Sequence, residues 1–319
     1  MENITSASAL VAQGLAHAEL RGLSRSGTLT PLRRGAYLLG PVDSDEEDPG
    51  GYLEHRRLID ANLLQCGADA VLCHGSAAVV HGLPMWRHSL TQVHVVRDGN
   101  SGGQRRSHVH DHRMPLKWDD IAEVDGLAVT TLARTVADLG RSSPLMESVP
   151  MGDQALRLGL VPEDLHRTLR AMKRWPGVCD ARRMADFLDI RSESAGESAS
   201  RVRMVQDGIP VPDLQHVIVD DDGRFVARVD FAWVDRRTVG EFDGAVKYGA
   251  LLKPGQRVAD VIEAQDHRED EIRRAGWEVA RWGWPQLAEP GEIAARINRA
   301  FRRADHRFPT FQRTTEPNL

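Results

Sequence analysis

Asp230, Glu241 and Asp243 lie in RVDFAWVDRRTVGEFDGAVKYG, residues 228 to 249, inside runs that otherwise read as buried strand. Glu241 and Asp243 are two apart, and alternate residues of a strand share a face. If the run holding Asp230 is the neighbouring strand, three carboxylates meet at one point. Like charges at close range repel, and burial raises the cost of keeping them ionised. A divalent cation that prefers hard oxygen ligands, Mg2+ or Mn2+, would relieve that repulsion. Lys247, four residues past Asp243, could then orient a water or stabilise charge developing at phosphorus. Plainer roles stand beside these: Asp230 as a residue ending a strand, Lys247 as a surface lysine.

Strands must carry these acids, and the flanking sequence supplies them. SESAGESASRVRMVQDG reads as a helix with Gly208 past its end. IPVPDLQHVIVDDDGRFVARVDFAW is a hairpin around DDDG, and RRTVGEFDG is a third strand. VADVIEAQDHREDEIRRAG is an amphipathic helix, with Val258, Val261, Ile262 and Ile272 on its apolar side. WEVARWGW is a fourth strand and PGEIAARINRAFRR a final basic helix. The order is α-β-β-β-α-β-α, with Trp277, Trp282 and Trp284 expected in its core.

Upstream, residues 5 to 40 pair apolar residues at helical spacing with a basic hairpin, RSGTLTPLRRGAYLLG. Helix, helix and basic wing is the pattern of a winged helix-turn-helix. Arg25, Arg33 and Arg34 could touch phosphates there, or form a solvated hairpin face. PVDSDEEDPGG, with five acids, reads as a linker. Between it and residue 190, AVLCH, LTQVHVVRD and RSHVHDHR read as strands and TLARTVADLGR, SVPMGDQALRLG and PEDLHRTLRAM as helices.

The expected fold class is therefore mixed α/β. Its expected domains are a winged helix-turn-helix-like segment at 1–45, a mixed α/β region at 52–190, a third domain at 191–304 and a flexible tail at 305–319. His108, His110 and His112 alternate on one strand face, which invites a metal. No carboxylate or cysteine stands at ligand spacing beside them, so an exposed, edge-like strand is the reading adopted. His74 and His81 read as core or capping histidines.

The chain has 319 residues, 41% hydrophobic and 27% charged, with a formal net charge of -5. That balance carries no global nucleic-acid signature, so DNA binding would need local basic patches. Cys66, Cys73 and Cys179 are odd in number and lack CxxC spacing, which fits a reducing cytoplasm better than a disulfide framework or a structural zinc. No apolar run is long enough to span a bilayer, so no membrane partner is expected.

From about 190 to 290 the sequence resembles the PD-(D/E)xK restriction-endonuclease-like superfamily. VDFAW, VGEFDGAVKYG, REDEIRRAGW and WEVARWGW, in that order, are similar to its DUF559, Vsr-like group. The resemblance implies a restriction-endonuclease-like core and Mg2+- or Mn2+-dependent hydrolysis of DNA. Asp230, Glu241, Asp243 and Lys247 would be catalytic, Glu197 would join Asp230 and Glu241 as a metal ligand, and Arg268 could contact DNA phosphate. Where the superfamily carries a lysine two residues after the strand-three acid, this chain has Asp243. From about 5 to 180, LRRGAYLLG, HGSAAVVHGL and GLAVTTLARTVADLG resemble AbiEi-type antitoxin proteins, whose winged helix binds DNA. Two functions follow: a metal-dependent DNA endonuclease, or an antitoxin-type DNA-binding regulator with an inactive nuclease-like domain.

Overall fold

The computed structural model describes residues 4–41, 48, 50–67, 69–99, 103–244 and 258–309, the last range with side chains from Glu263 onward. Contacts divide the chain into two units, Met1–Asp186 and Phe187–Leu319. The expected segment at 1–45 and most of the expected region at 52–190 thus fall in one unit. The chain is mixed α/β, with its strands in three sheets. Among the described residues, no helix is long and apolar enough to cross a membrane.

In the first unit, β1 (Ile4–Ser6), α1 (Ala7–Ala12), α2 (His17–Arg25), β2 (Leu29–Arg33) and β3 (Ala36–Leu39) come first. The strands form a sheet in the order β1-β3-β2. β1 is not among the expected elements; it precedes the stretch that reads as helix, which begins at Ser6. Ser6 ends it and caps α1, its hydroxyl accepting from the Ala9 amide at 3.1 Å. Leu10, Leu20 and Leu29 close a small core beneath. The acidic linker lies largely outside the described residues. Its last acid, Asp48, accepts from the amides of Tyr52 and Leu53, both at 2.8 Å, and so caps α3 (Tyr52–Leu63).

Next come β4 (Val71–Leu72), α4 (His74–Val80), β5 (Val93–Asp98), β6 (Gln104–Arg105), β7 (Val109–Met114), β8 (Ile121–Val124) and β9 (Leu127–Thr130). They build a six-stranded sheet ordered β6-β7-β5-β4-β9-β8. Alternation sends Leu72, Val93 and Val95 into one core with Ile59 and Val129, and Val71, Cys73 and Val96 into another. Helices α5 (Leu132–Ser142), α6 (Leu145–Arg157), α7 (Pro162–Ala171) and α8 (Val178–Phe187) follow. Strands β8 and β9 and helix α8 carry no clear sequence signal.

The second unit runs α9 (Ala195–Gln206), β10 (Asp213–Val219), β11 (Phe225–Trp233), β12 (Thr238–Asp243), α10 (Val258–Arg274), β13 (Glu278–Gly283), α11 (Trp284–Ala288) and α12 (Glu292–Arg307). This is the expected order with one short helix added. The sheet order is β10-β11-β12-β13, antiparallel except for the parallel pair β12–β13. Trp277 and Trp282 are buried, whereas Trp284 opens α11 with its ring edge-on to Phe242. α12 continues to Arg307, past the start of the expected tail, because Ala304 still buries against the core.

Candidate functional site

β12 and β13 pair in parallel with Glu241 beside Arg281 and Asp243 beside Gly283. Strand alternation puts Glu241 and Asp243 on one face, as the sequence implies. That face holds cations as well as acids. Arg281 donates through Nε to Asp243 Oδ2 at 2.8 Å and through Nη2 to Asp243 Oδ1 at 2.7 Å. The same Nη2 lies 3.3 Å from Glu241 Oε2. Arg268 Nη2 lies 2.8 Å from Glu241 Oε1 and donates to the Arg228 carbonyl at 2.7 Å. Gln265 reaches Asp243 Oδ1 at 3.3 Å. Burial disfavours the Arg281 charge, but the hydrogen-bonded Asp243 and neighbouring Glu241 outweigh it and hold the guanidinium above its ordinary range.

Asp230 has a backbone task. The β11–β12 ladder stops at Phe231 and Gly240. Asp230 Oδ2 then accepts from the Phe242 amide at 2.8 Å, satisfying a strand donor past the end of the ladder. Glu197 sits in the first turn of α9. Its Oε1 accepts from the Ser194 hydroxyl at 2.7 Å, and its Oε2 from the Glu193 amide at 2.8 Å and from Gln215 Nε2 at 2.9 Å. Ser194 in turn accepts from the Glu197 amide at 3.2 Å. This reciprocal arrangement is a helix cap. Lys247 lies outside the described residues.

Mg2+ and Mn2+ need several carboxylate, carbonyl or water oxygens pointing at one centre. Among the described residues, the groups of three donors close enough to share an ion consist of His and Cys, and Glu197, Asp230, Glu241 and Asp243 form no such group. Arg281 and Arg268 already supply the positive charge that the acids require. As arranged, these residues do not fit Mg2+ or Mn2+.

In residues 4–41, Arg25 at the end of α2 and Arg34 at the β2–β3 turn are exposed. Arg33 is half-buried and donates to the Asn62 side chain of α3, so it braces the β2–β3 hairpin.

Sequence reasoning missed two constellations. The first lies in TLARTVADLG. Arg134 donates to Asp138 at 2.8 Å and Asp120 at 3.0 Å, Arg141 donates to Asp138 at 2.8 Å, and both guanidinium groups cover Trp175. Arg134 and Asp138 are buried, and burial pushes the Asp138 carboxyl up despite its two arginines. The signal was available: Arg134 and Asp138 are four apart, and Arg141 lies three further on, all on one helix face. The second is histidine-rich. His110 and His112 meet His94 of β5 and His74 of α4, so this strand is not the bare edge expected. His108 is not among the rings that meet. The strand register that joins His94 to the pair has no signature in local sequence.

No family model matches the chain. It is similar to two uncharacterized proteins of Mycobacterium tuberculosis, MT2308 and Rv2248, each 27% identical over 240 residues, covering 75% of this chain and 83% of the relative. A solved structure, that of RV2827C from the same organism, covers 68% of this chain and 83% of its own, at 17% identity and a TM-score of 0.40.

Proposed function

We propose that the protein is a DNA-binding regulator of the antitoxin type, held on DNA by its winged segment. Its C-terminal unit keeps a nuclease-like frame whose acids are bound by arginines. The observation that carries this reading is the pairing of Arg281 with Asp243 and Glu241, which answers acid repulsion without an ion. The winged segment adds to it. Residues 4–41 hold four arginines and one acid, Glu19, in a chain of net charge -5. Exposed Arg25 and Arg34 suit phosphate contacts, which give affinity independent of sequence.

The second reading is a metal-dependent endonuclease. It draws on Asp230, whose carboxylate reaches the Phe242 amide and so stands at the same strand ends as Glu241. For that chemistry Arg281 would have to release its acids.

One experiment separates the two readings. Supercoiled and linear DNA are incubated with the protein and Mg2+ or Mn2+, in parallel with gel-shift assays across a salt series. The regulator reading expects a shift without cleavage, and a salt slope that falls by about 1 for each of Arg25→Ala and Arg34→Ala. Cleavage that disappears in Glu241→Ala would establish the endonuclease. Neither shift nor cleavage would remove both.

A further inference from the structure

His94 of β5 and His110 and His112 of β7 share one face of the six-stranded sheet. The parallel register sets His94 beside His110 and Val96 beside His112. Because the side-chain period is two, all three imidazoles leave on the same side. Ring centroids are 5.2 Å apart for His94–His110, 5.2 Å for His94–His112 and 3.9 Å for His110–His112. His94 Nδ1 and His112 Nε2 are 3.0 Å apart. One nitrogen from each of the three lies within 4.8 Å of the others.

Ordinary polar packing accounts for part of this. One N–H···N hydrogen bond joins His94 to His112. It leaves the third ring unexplained, because His110 Nδ1 is buried with no hydrogen-bond partner among the described residues. Such an atom is costly to bury unless something else satisfies it. Further crowding comes from His74, whose ring stacks on His112 at 4.2 Å. Its φ of 46° is a left-handed backbone that a non-glycine residue adopts under constraint.

We infer that His94, His110 and His112 form a site for one divalent transition metal of the zinc class, leaving a fourth position for water or an oxygen ligand. Three imidazole nitrogens with one further ligand is a coordination set that Zn2+ accepts, and nitrogen donors disfavour Mg2+ and Ca2+. His74, stacked on His112, is a positioning residue. Cys73 belongs to a second, overlapping donor group with His74 and His112. Its Sγ lies 3.2 Å from His74 Nδ1, and among the described residues it shares no donor group with His94 or His110. Cys73 therefore stays outside the three-histidine set.

The test uses the full chain stripped with a chelator, and Zn2+ and Co2+ as probes. Calorimetry should find one Zn2+ per chain, and Co2+ should give the intense visible bands of a tetrahedral centre with no sulfur-to-cobalt charge-transfer band. His112→Ala should weaken binding by more than about 100-fold, beyond the loss of an outer-shell partner. His108→Ala, on the same stretch but outside the cluster, should leave binding unchanged. Circular dichroism checks folding. If His112→Ala unfolds, the half-buried His110→Ala takes its place. Absence of binding, or equal binding in the folded His112 or His110 variant, would overturn the site. So would a charge-transfer band lost in Cys73→Ser, which would move the ion to the Cys73–His74–His112 group. None of these readouts depends on DNA.

Discussion

Arg281 and Asp243 form a two-pronged ion pair across parallel strands, with N–O distances of 2.8 and 2.7 Å. Two parallel bonds between a planar guanidinium and a carboxylate are among the stronger polar contacts in proteins. The pair lies beside Glu241, which keeps only 5% of its surface. Arg281, on the edge strand β13, therefore neutralises two acids of β12 in a largely buried position where an unpaired charge is costly.

Replacing Arg281 should expose that dependence. Arg281→Met is expected to cost about 2–3 kcal/mol, below the roughly 3–5 kcal/mol of a fully buried pair, because the Arg281 side chain keeps 20% of its surface. Urea midpoints measure it. Adding Asp243→Asn to Arg281→Met should recover part of the loss in a double-mutant cycle. Mn2+ should not restore the single variant. If it does, the acids take a cation in place of the guanidinium and the endonuclease reading gains.

Asp138 should be less replaceable than any acid of β12. It is fully buried between Arg134 and Arg141, so Asp138→Ala removes the shared partner of two cations, and buried Arg134 keeps only the partly buried Asp120 as an acid partner. A loss of about 3–5 kcal/mol is expected. Trp175→Leu should cost less, about 1–2 kcal/mol, since it removes cation–π contacts and leaves the ion pairs intact. The order of the two urea midpoints checks the ranking.

The C-terminal unit was legible because its signals are local. DDDG turns the chain at Gly223, which has a φ of 78°, and β12 shows the alternation that placed Glu241 and Asp243 together. Partners from other elements were not legible. Arg281 is a lone arginine in WEVARWGW, and only the register of β13 on β12 sets it beside Glu241. Inferring a metal from acid repulsion assumed that no cation was built in. Glu197 shows how a local role can imitate a ligand: an acid three residues after Ser194 is as good a helix cap as a metal ligand. His94 was missed for the same reason as Arg281, because its neighbours come from β7, sixteen and eighteen residues on.

Gly196 should resist a change that ordinarily stabilises a helix. Glycine to alanine gains about 1 kcal/mol in a helix interior. At Gly196, in the first turn of α9, an added Cβ would stand 1.9 Å from the Phe242 ring. That ring is buried and held edge-on by Trp284 at 5.1 Å, so it has little room to yield. Overpacking of this kind costs about 1–3 kcal/mol, and Gly196→Ala should be destabilised overall. Combination with Phe242→Leu should relieve it, seen as a melting temperature above that of Gly196→Ala alone.

Acid should unfold the N-terminal unit partly through His55 and His81. Burial is the main cause that lowers both from 6.5, with hydrogen bonds to the Leu90 and Thr130 carbonyls opposing it. Their ring nitrogens lie 2.6 Å and 2.7 Å from those carbonyl oxygens. Above pH 6.5 both residues are neutral in folded and unfolded chains, and their contribution to stability is complete. Below it the unfolded chain takes up protons that the folded one resists, so stability falls as pH drops from 6.5 toward the lowered folded values. His55→Gln and His81→Gln should each lose about 0.5–1.5 kcal/mol at pH 8, the worth of a hydrogen bond. Each should also decline less steeply than wild type between pH 6.5 and about 5, having one fewer proton to bind on unfolding. Urea unfolding at a series of pH values reads both effects. A variant whose curve runs parallel to wild type through that window would show that its histidine titrates alike in the two states.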